Sequence, residues 1–288
     1  MKEKASLKQK TLHRLRQLPQ YADSAVRRLS ASFRCLPNTL IVGAQKSGTS
    51  SFFSYLTQHP DILGSSRKEV HYFDGGYNPR IDSFKKGEKW YRAHFPLMTK
   101  GIDQKRILEA TPSYLFIPDV PKRIKAQIPD AKIIVVLRDP VERAISHFYY
   151  EAWGGHEARP IMQALLEEED ILASIWESGD YKAPHFLRFS YKARGRYAEQ
   201  LERYFDVFSR EQVLVLSSKD LFKNTADTLA FTFDFLGLES TICVTDTKPR
   251  NVGTNKPEVE STVLDYLATY FAPHNERLFE LLGGEIEW

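Results

Sequence analysis

The stretch "LIVGAQKSGTSSFF", residues 40–53, decides the fold. It opens as an apolar strand and breaks into a turn rich in Gly, Ser and Thr. Phe52, Phe53 and Leu56 then share one face of a helix that Pro60 stops. A strand, such a turn and a helix N-terminus together make an anion site, because backbone N–H groups converge there and the helix dipole adds positive potential. Gly43 and Gly48 have the separation of a nucleotide-hydrolysing loop, but in that loop the lysine follows the second glycine. Here the lysine is Lys46, inside the loop. Lys46 offers a charge, Gly48 a close backbone approach, and Ser47, Thr49, Ser50 and Ser51 offer hydroxyls. The reading is a phosphate or sulfate site.

Two more strand-to-helix units follow. In "DAKIIVVLRDPVERAISHFYYE", residues 132–137 read as a buried strand, Asp139 as an N-cap and Pro140 as the first helical turn. In "REQVLVLSSKDLFKNTADTLAFTFDFLGL", the strand is 213–217 and the helix ends near Gly237. Helical patterns also cover 195–208 and about 258–271, whereas 151–194 reads as irregular, an inserted helical excursion near the site. Alternating strands and helices predict an α/β fold: a P-loop-like parallel sheet with helices on both faces, in a single domain. Arg138 leaves the second strand, and Ser146 lies about two helical turns further on. Both can face the C-terminal edge of the sheet, where open α/β folds bind ligands. Two separated anion sites suit a nucleotide phosphorylated in two places.

Composition narrows the class. Hydrophobic residues make up 42% of 288, enough for a sizeable core. The two cysteines, Cys35 and Cys243, form no metal or disulfide pattern, and no N-x-Ser/Thr sequon occurs. The longest apolar run, "IIVVL" at 133–137, is far short of the ~20 residues that span a bilayer. The basic N-terminus lacks the apolar stretch of a signal peptide. A cytoplasmic chain is expected, or a Golgi-lumen one if a membrane anchor has been removed. Residues 1–36 form a basic leader with nine Lys/Arg and two acids, against a net −4 for residues 37–288. Such an arm suits a weak contact with an acidic surface. No nucleic-acid motif is present.

Taken in order, these segments resemble a family. "VGAQKSGTSSFFSYLTQHP" is similar to the 5′-phosphosulfate loop of sulfotransferases, and "VVLRDPVERAISHFYY" to their 3′-phosphate-binding strand and helix. "KEVHYFD" at 68–74 resembles the acceptor-side motif of heparan sulfate glucosaminyl 3-O-sulfotransferases and N-sulfotransferase domains. "LEATPSYLF", "RGRYAEQLERYFDVF" and "YFAPHNERLFELLGGEIEW" continue the likeness through residues 38–288. The resemblance implies sulfuryl transfer from 3′-phosphoadenylyl sulfate (PAPS, leaving PAP) to a carbohydrate or other hydroxyl-bearing acceptor, without a metal. By motif, Lys46 through Ser50 hold the phosphosulfate, Arg138 and Ser146 hold the 3′-phosphate, and Lys46 offsets charge on the departing oxygen. Glu69 takes the place of the general base, with His71 a supporting hydrogen bonder two residues along an extended segment. Lys68, Val70, Tyr72, Phe73, Asp74, Thr111, Pro112 and Ser113 belong to the acceptor side. Arg194 and Tyr197 are further candidates for nucleotide or acceptor contact.

Two departures stand out. Ala110 in "EATPS" replaces the lysine of the animal enzymes. "RNVGTNK" at 250–256 keeps Gly253 of their Lys-Gly-Arg loop, but Val252 and Thr254 replace its cations and the associated cysteine pair is missing. Arg250, Asn251 or Lys256 can substitute as donor ligands. The departures suggest a soluble, bacterial-type member. A P-loop kinase or NTPase, and a catalytically silent nucleotide-binding module, remain as alternatives.

Overall fold

The computed structural model describes residues 24–242, 244–250 and 258–288. Among them, five parallel strands form one sheet in the order β2-β3-β1-β4-β5: β1 Thr39–Gly43, β2 Ile62–Gly64, β3 Arg106–Ala110, β4 Lys132–Leu137 and β5 Val213–Ser217. β1 sits at the centre and is buried along its whole length. Its neighbours are fixed by register: Leu40 lies opposite Glu109 on one side and Ile133 on the other.

Because strand side chains alternate, the apolar runs serve two cores at once. Leu40, Val42, Ile133, Val135 and Leu137 face a core closed by the helices Val120–Gln127 and Tyr197–Phe205. Ile41, Leu108, Ile134, Val136 and Leu214 face the other, closed by helix α1, Thr49–Leu56, and by Thr225–Phe235. This is the α/β architecture expected, with helices on both faces. Phe52 of α1 is fully buried against that second core. The expected cap also forms: the Asp139 side chain accepts from Glu142 N at 2.9 Å, and Pro140 opens helix α2, Pro140–Trp153.

Three expectations are revised. β2 and β3 escape a search for apolar runs, because β2 has three residues and β3, "RILEA", carries Arg106 and buried Glu109. The segment 151–194 is helical, as the excursion reading expected, but regular rather than irregular: it holds helix α3, Ile161–Ser178, whose buried Leu165, Glu168, Leu172 and Ile175 recur at helical spacing beneath a run of acids. The C-terminal pattern extends past 271 into one helix, Ser261–Leu282, that runs through Pro273. The described end of the leader packs on the domain, where buried Arg34 donates from Nη1 to Phe95 O at 2.7 Å.

Candidate active site

Parallel strands put the ends of β1, β3 and β4 at one edge, so the loops after Gly43, Ala110 and Leu137 meet there. The loop after β1 turns through left-handed Lys46 (φ 71) and Gly48 (φ 89). A Cβ at Gly48 would sit 2.8 Å from Phe222, so this position needs glycine on both counts. The N-terminus of α1 opens directly from this loop at Thr49, the arrangement that presents backbone N–H groups and the positive end of the helix dipole to an anion. Ser47 and Thr49 are buried and Ser50 half-buried. Lys46 Nζ stands 4.4 Å above the Tyr150 ring of α2. Burial, then the Arg138 and Arg143 charges, lower the Lys46 pKa.

Arg138 joins the loop directly: Nη1 donates to Lys46 O at 3.2 Å, while Nη2 pairs with Glu142 at 2.6 Å. Tyr197, itself buried, donates to Arg138 O at 2.9 Å and fixes that turn. Ser146 is half-buried on the same helix α2. Arg143 is fully buried and Arg194 almost so, and the Nε and Nη1 atoms of both lack hydrogen-bond partners. Such cations normally find partners. Burial lowers both; Arg194 further lowers Arg143, which is brought down to about 10, and Arg143 further lowers Lys46, whereas Tyr77 and the acids Asp74, Glu151 and Glu168 act on Arg194 in the opposite direction. Positive potential beneath the loop is therefore only partly compensated.

The motif at 68–74 lies across the same edge. Glu69 N donates to Ala110 O at 3.0 Å, hooking the motif onto the end of β3. It is not the plain extended segment the sequence suggests, because Glu69 (φ 63) and His71 (φ 55) are both left-handed. Non-glycine residues held this way cost about 1–3 kcal/mol each and persist where surroundings over-determine them. The surroundings here are dense. Tyr114 OH accepts from Tyr72 N at 2.8 Å and Phe73 N at 3.3 Å, Arg123 Nη1 donates to Phe73 O at 2.7 Å, and Ser83 Oγ donates to His71 O. Lys182, from beyond α3, donates to Gly75 O at 2.7 Å.

The strained turn brings three ionisable groups into line. His71 Nε2 lies 3.3 Å from Glu69 Oε2, and its Nδ1 lies 2.7 Å from Asp74 Oδ2. Ser113 Oγ donates to Asp74 at 2.5 Å, and Lys68 Nζ pairs with Glu69 at 2.7 Å. Burial alone would raise the Glu69 carboxyl, but the His71 hydrogen bond and the Lys68 charge outweigh it and hold it at about 2. Burial would lower His71, but Asp74 and Glu69 outweigh it and raise the ring to about 9. Glu69 is thus ionised and His71 an imidazolium around neutral pH. Val70, Tyr72 and Phe73 do not line this space: they are buried in the core, where Tyr72 stacks on Tyr91 at 4.3 Å. Placed on the acceptor side by the sequence, their side chains serve as its anchor instead. Thr111 and Pro112 are also buried, Thr111 accepting from His71 N at 3.4 Å.

His71 makes the site's fold pH-dependent. Its folded pKa is raised, so its stabilising contribution is complete below about 6.5 and is lost as pH rises through about 9. Thermal melting of the wild type is expected to fall between pH 7 and 9, and this slope to flatten in His71→Gln.

The sequence gives no hint of Glu109, whose fully buried carboxylate accepts from Tyr91 OH, from Thr111 Oγ1 at 2.8 Å and from Tyr114 OH at 2.8 Å. Two of those three groups in turn hold the backbone of His71, Tyr72 and Phe73. Burial pushes Glu109 up to about 7 despite those bonds. Glu109→Gln removes one acceptor oxygen and should cost about 1–3 kcal/mol, measured by denaturant unfolding. Lys182 was missed because it comes from beyond α3, and Arg143 and Tyr150 because nothing local marks which residues of α2 besides Ser146 face the site. Arg250 lies near the loop, its N–H donating to Ser51 Oγ at 2.8 Å while its side chain pairs with Asp246. Asn251, Gly253 and Lys256 lie outside the described residues.

Known proteins supply the context for this geometry. A family model for the sulfotransferase domain matches residues 36–263. Human heparan sulfate glucosamine 3-O-sulfotransferase 6 is 30% identical over an alignment covering 88% of this chain and 74% of that protein. The membrane-associated sulfotransferase kil1 of Dictyostelium discoideum is 27% identical, covering 88% of this chain and 67% of its own. Among solved structures, a sulfotransferase from Alicyclobacillus acidocaldarius superposes with a TM-score of 0.71 at 31% identity, covering 88% of this chain and 98% of that one. The match spans the strand, loop and helix units that build the site, and the chain belongs to the sulfotransferase family.

Proposed function

We propose that this chain moves a sulfuryl group from PAPS to an acceptor hydroxyl on a carbohydrate or glycoconjugate. The observation that carries the reading is the convergence at one sheet edge of a lysine-bearing anion loop and an ionised carboxylate held in a strained turn. Lys46 and the α1 N-terminus suit the 5′-phosphosulfate. Arg138 and Ser146 suit a second phosphate, and buried Arg143 and Arg194 favour a donor carrying several negative charges. In the reaction the acceptor oxygen bonds to sulfur, the bond from sulfur to the phosphate oxygen breaks, and the acceptor proton passes to Glu69. Lys46 neutralises the departing oxygen. Positioning and charge neutralisation dominate such transfers, as in phosphoryl transfer. His71, pinned between Glu69 and Asp74, orients the base. A carboxylate held at about 2 is a weak base, so proton transfer belongs late, when the acceptor oxygen has lost electron density to sulfur.

A carbohydrate acceptor is favoured by the likeness to an enzyme named for glucosamine in heparan sulfate. Among the described residues no helix is long and apolar enough to cross a membrane. A cytoplasmic location is part of the proposal, with the Golgi lumen as its alternative. Residues 37–288 act as the catalytic unit and 1–36 as a leader. Donor choice is tested by calorimetric titration in EDTA: adenosine 3′,5′-bisphosphate should bind and ATP should bind poorly. Tighter ATP binding would favour a kinase or NTPase. Binding of the bisphosphate without transfer to any acceptor would favour a silent module. Arg138→Ala should weaken bisphosphate binding by about 10-fold or more, as expected for a lost charge-assisted contact, and leave affinity for the 5′-monophosphate nearly unchanged.

A further inference from the structure

The basic leader is not absorbed by this reading, and the structure shows where its described end, residues 24–36, lands. Residues 24–29 are helical and lead into the turn Ala31–Phe33. Phe33 O accepts from Met98 N at 2.8 Å, and Arg34 bridges Leu97, so two distant segments form one surface. That surface is apolar and open to solvent: Val26 is 59% exposed, Leu29 86%, Phe33 68%, Leu97 44% and Met98 52%. Single exposed apolar residues need no explanation, but a contiguous group does. Leu29 and Phe33 are one helical turn apart in sequence, and Phe33 and Met98 are joined through the backbone.

Cations sit beside this group in sequence, at Arg28 next to Leu29 and at Lys100 two residues after Met98, and Arg67 adjoins it through Ser66, whose N–H donates to His94 O at 2.8 Å. Arg28, Arg67, Lys86 and Lys100 are exposed and Arg27 is half-buried. Arg67, Arg27, Arg28 and Lys86 all act on one ring, His94, which burial and then these charges lower to about 4. The four therefore converge from three segments. Of the exposed acids close to these cations in sequence, Glu88 pairs with Arg92 at 2.5 Å, and Asp103 stands three residues beyond Lys100. Residues 1–23 add six Lys/Arg against two acids immediately before this face. Apolar side chains flanked by cations match a bilayer interface bearing anionic headgroups, where apolar insertion and charge attraction reinforce each other.

We propose that the face formed by Val26, Leu29, Phe33, Leu97 and Met98, with its flanking cations Arg28, Arg67, Lys86 and Lys100, docks the protein peripherally on an anionic lipid surface. Arg67 immediately precedes the 68–74 motif, so the face ends at the acceptor side of the cleft. The docking claim stands apart from the identity of the donor or acceptor.

The test is co-sedimentation of the full chain with vesicles of phosphatidylcholine alone or mixed equally with phosphatidylglycerol. Partitioning onto the mixed vesicles should exceed that onto phosphatidylcholine by about tenfold or more, and should weaken as salt is raised. Leu29→Asp with Phe33→Asp should lower partitioning about tenfold. Both side chains are exposed, so the melting temperature should not move, which separates lost docking from lost folding. Arg28→Glu with Lys100→Glu should also weaken binding to the mixed vesicles. Full binding by the Leu29/Phe33 variant would assign attachment to the arm's charge alone and overturn the docking face. No partitioning onto either vesicle, or capture only by a soluble polyanion such as dextran sulfate, would overturn it as well.

Discussion

Lys46→Ala is expected to lower kcat/KM for sulfuryl transfer by about 10²–10³-fold, the usual cost of removing one preorganised group that meets developing charge. The expectation rests on where the charge sits. Lys46 is left-handed, its carbonyl is held by Arg138, and its ammonium stands over Tyr150. The site is therefore formed before substrate arrives, and little reorganisation is spent during reaction. Burial and neighbouring cations lower the Lys46 pKa, so the ammonium gains from an incoming anion. The loss should fall mainly on kcat, because the loop N–H groups and Arg138 still hold the ground-state donor. Lys46→Arg should recover little, since a guanidinium is longer and spreads its charge over a planar fork, where the departing oxygen needs a compact point charge. Rapid-quench kinetics with saturating donor would measure the split. An unchanged kcat would remove Lys46 from the chemistry.

Glu69→Gln is expected to lower kcat by about 10²-fold or more while donor affinity stays near normal, as for loss of a general base. The substitution keeps size and hydrogen bonding to Lys68 but removes the charge that orients the imidazolium of His71. His71 should then titrate below about 9, because one of its two carboxylate partners has become neutral. Proton NMR of the His71 ring would report that shift independently of turnover, and would distinguish a lost base from a collapsed turn. His71→Gln should retain more activity than Glu69→Gln, since His71 acts through Glu69. The reverse order would make His71 the base.

Much of this was legible in the sequence where local rules operate. The β1 loop announced itself because glycine spacing, hydroxyls and a helix start all fall within fourteen residues. Asp139 and Pro140 announced the second junction by cap chemistry, and the structure keeps both. The Glu69, His71 and Asp74 set was reached through the resemblance, not the spacing. An extended strand would have placed Glu69 and His71 together, and instead two left-handed residues do so. No sequence rule predicts that conformation, because tertiary bonds from Tyr114, Thr111, Ser83 and Lys182 enforce it. The same reason hid β3. Its buried Glu109 breaks the apolar pattern because the strand carries a polar hub for the acceptor loop. Helix α3 was read only as a helical excursion without bounds, because its acids blur the apolar stripe although its buried positions keep a helical period.

The central claim is that Lys46 and Glu69 work on one transferred sulfuryl group. It is tested most directly by incubating the purified protein with PAPS labelled in its sulfate and a panel of glycans, glycolipids and simple alcohols. Label should appear covalently on at least one hydroxyl-bearing acceptor with equimolar release of PAP, and both Lys46→Ala and Glu69→Gln should suppress it. Label that never leaves PAPS across the panel, or transfer that survives both substitutions, would contradict the account.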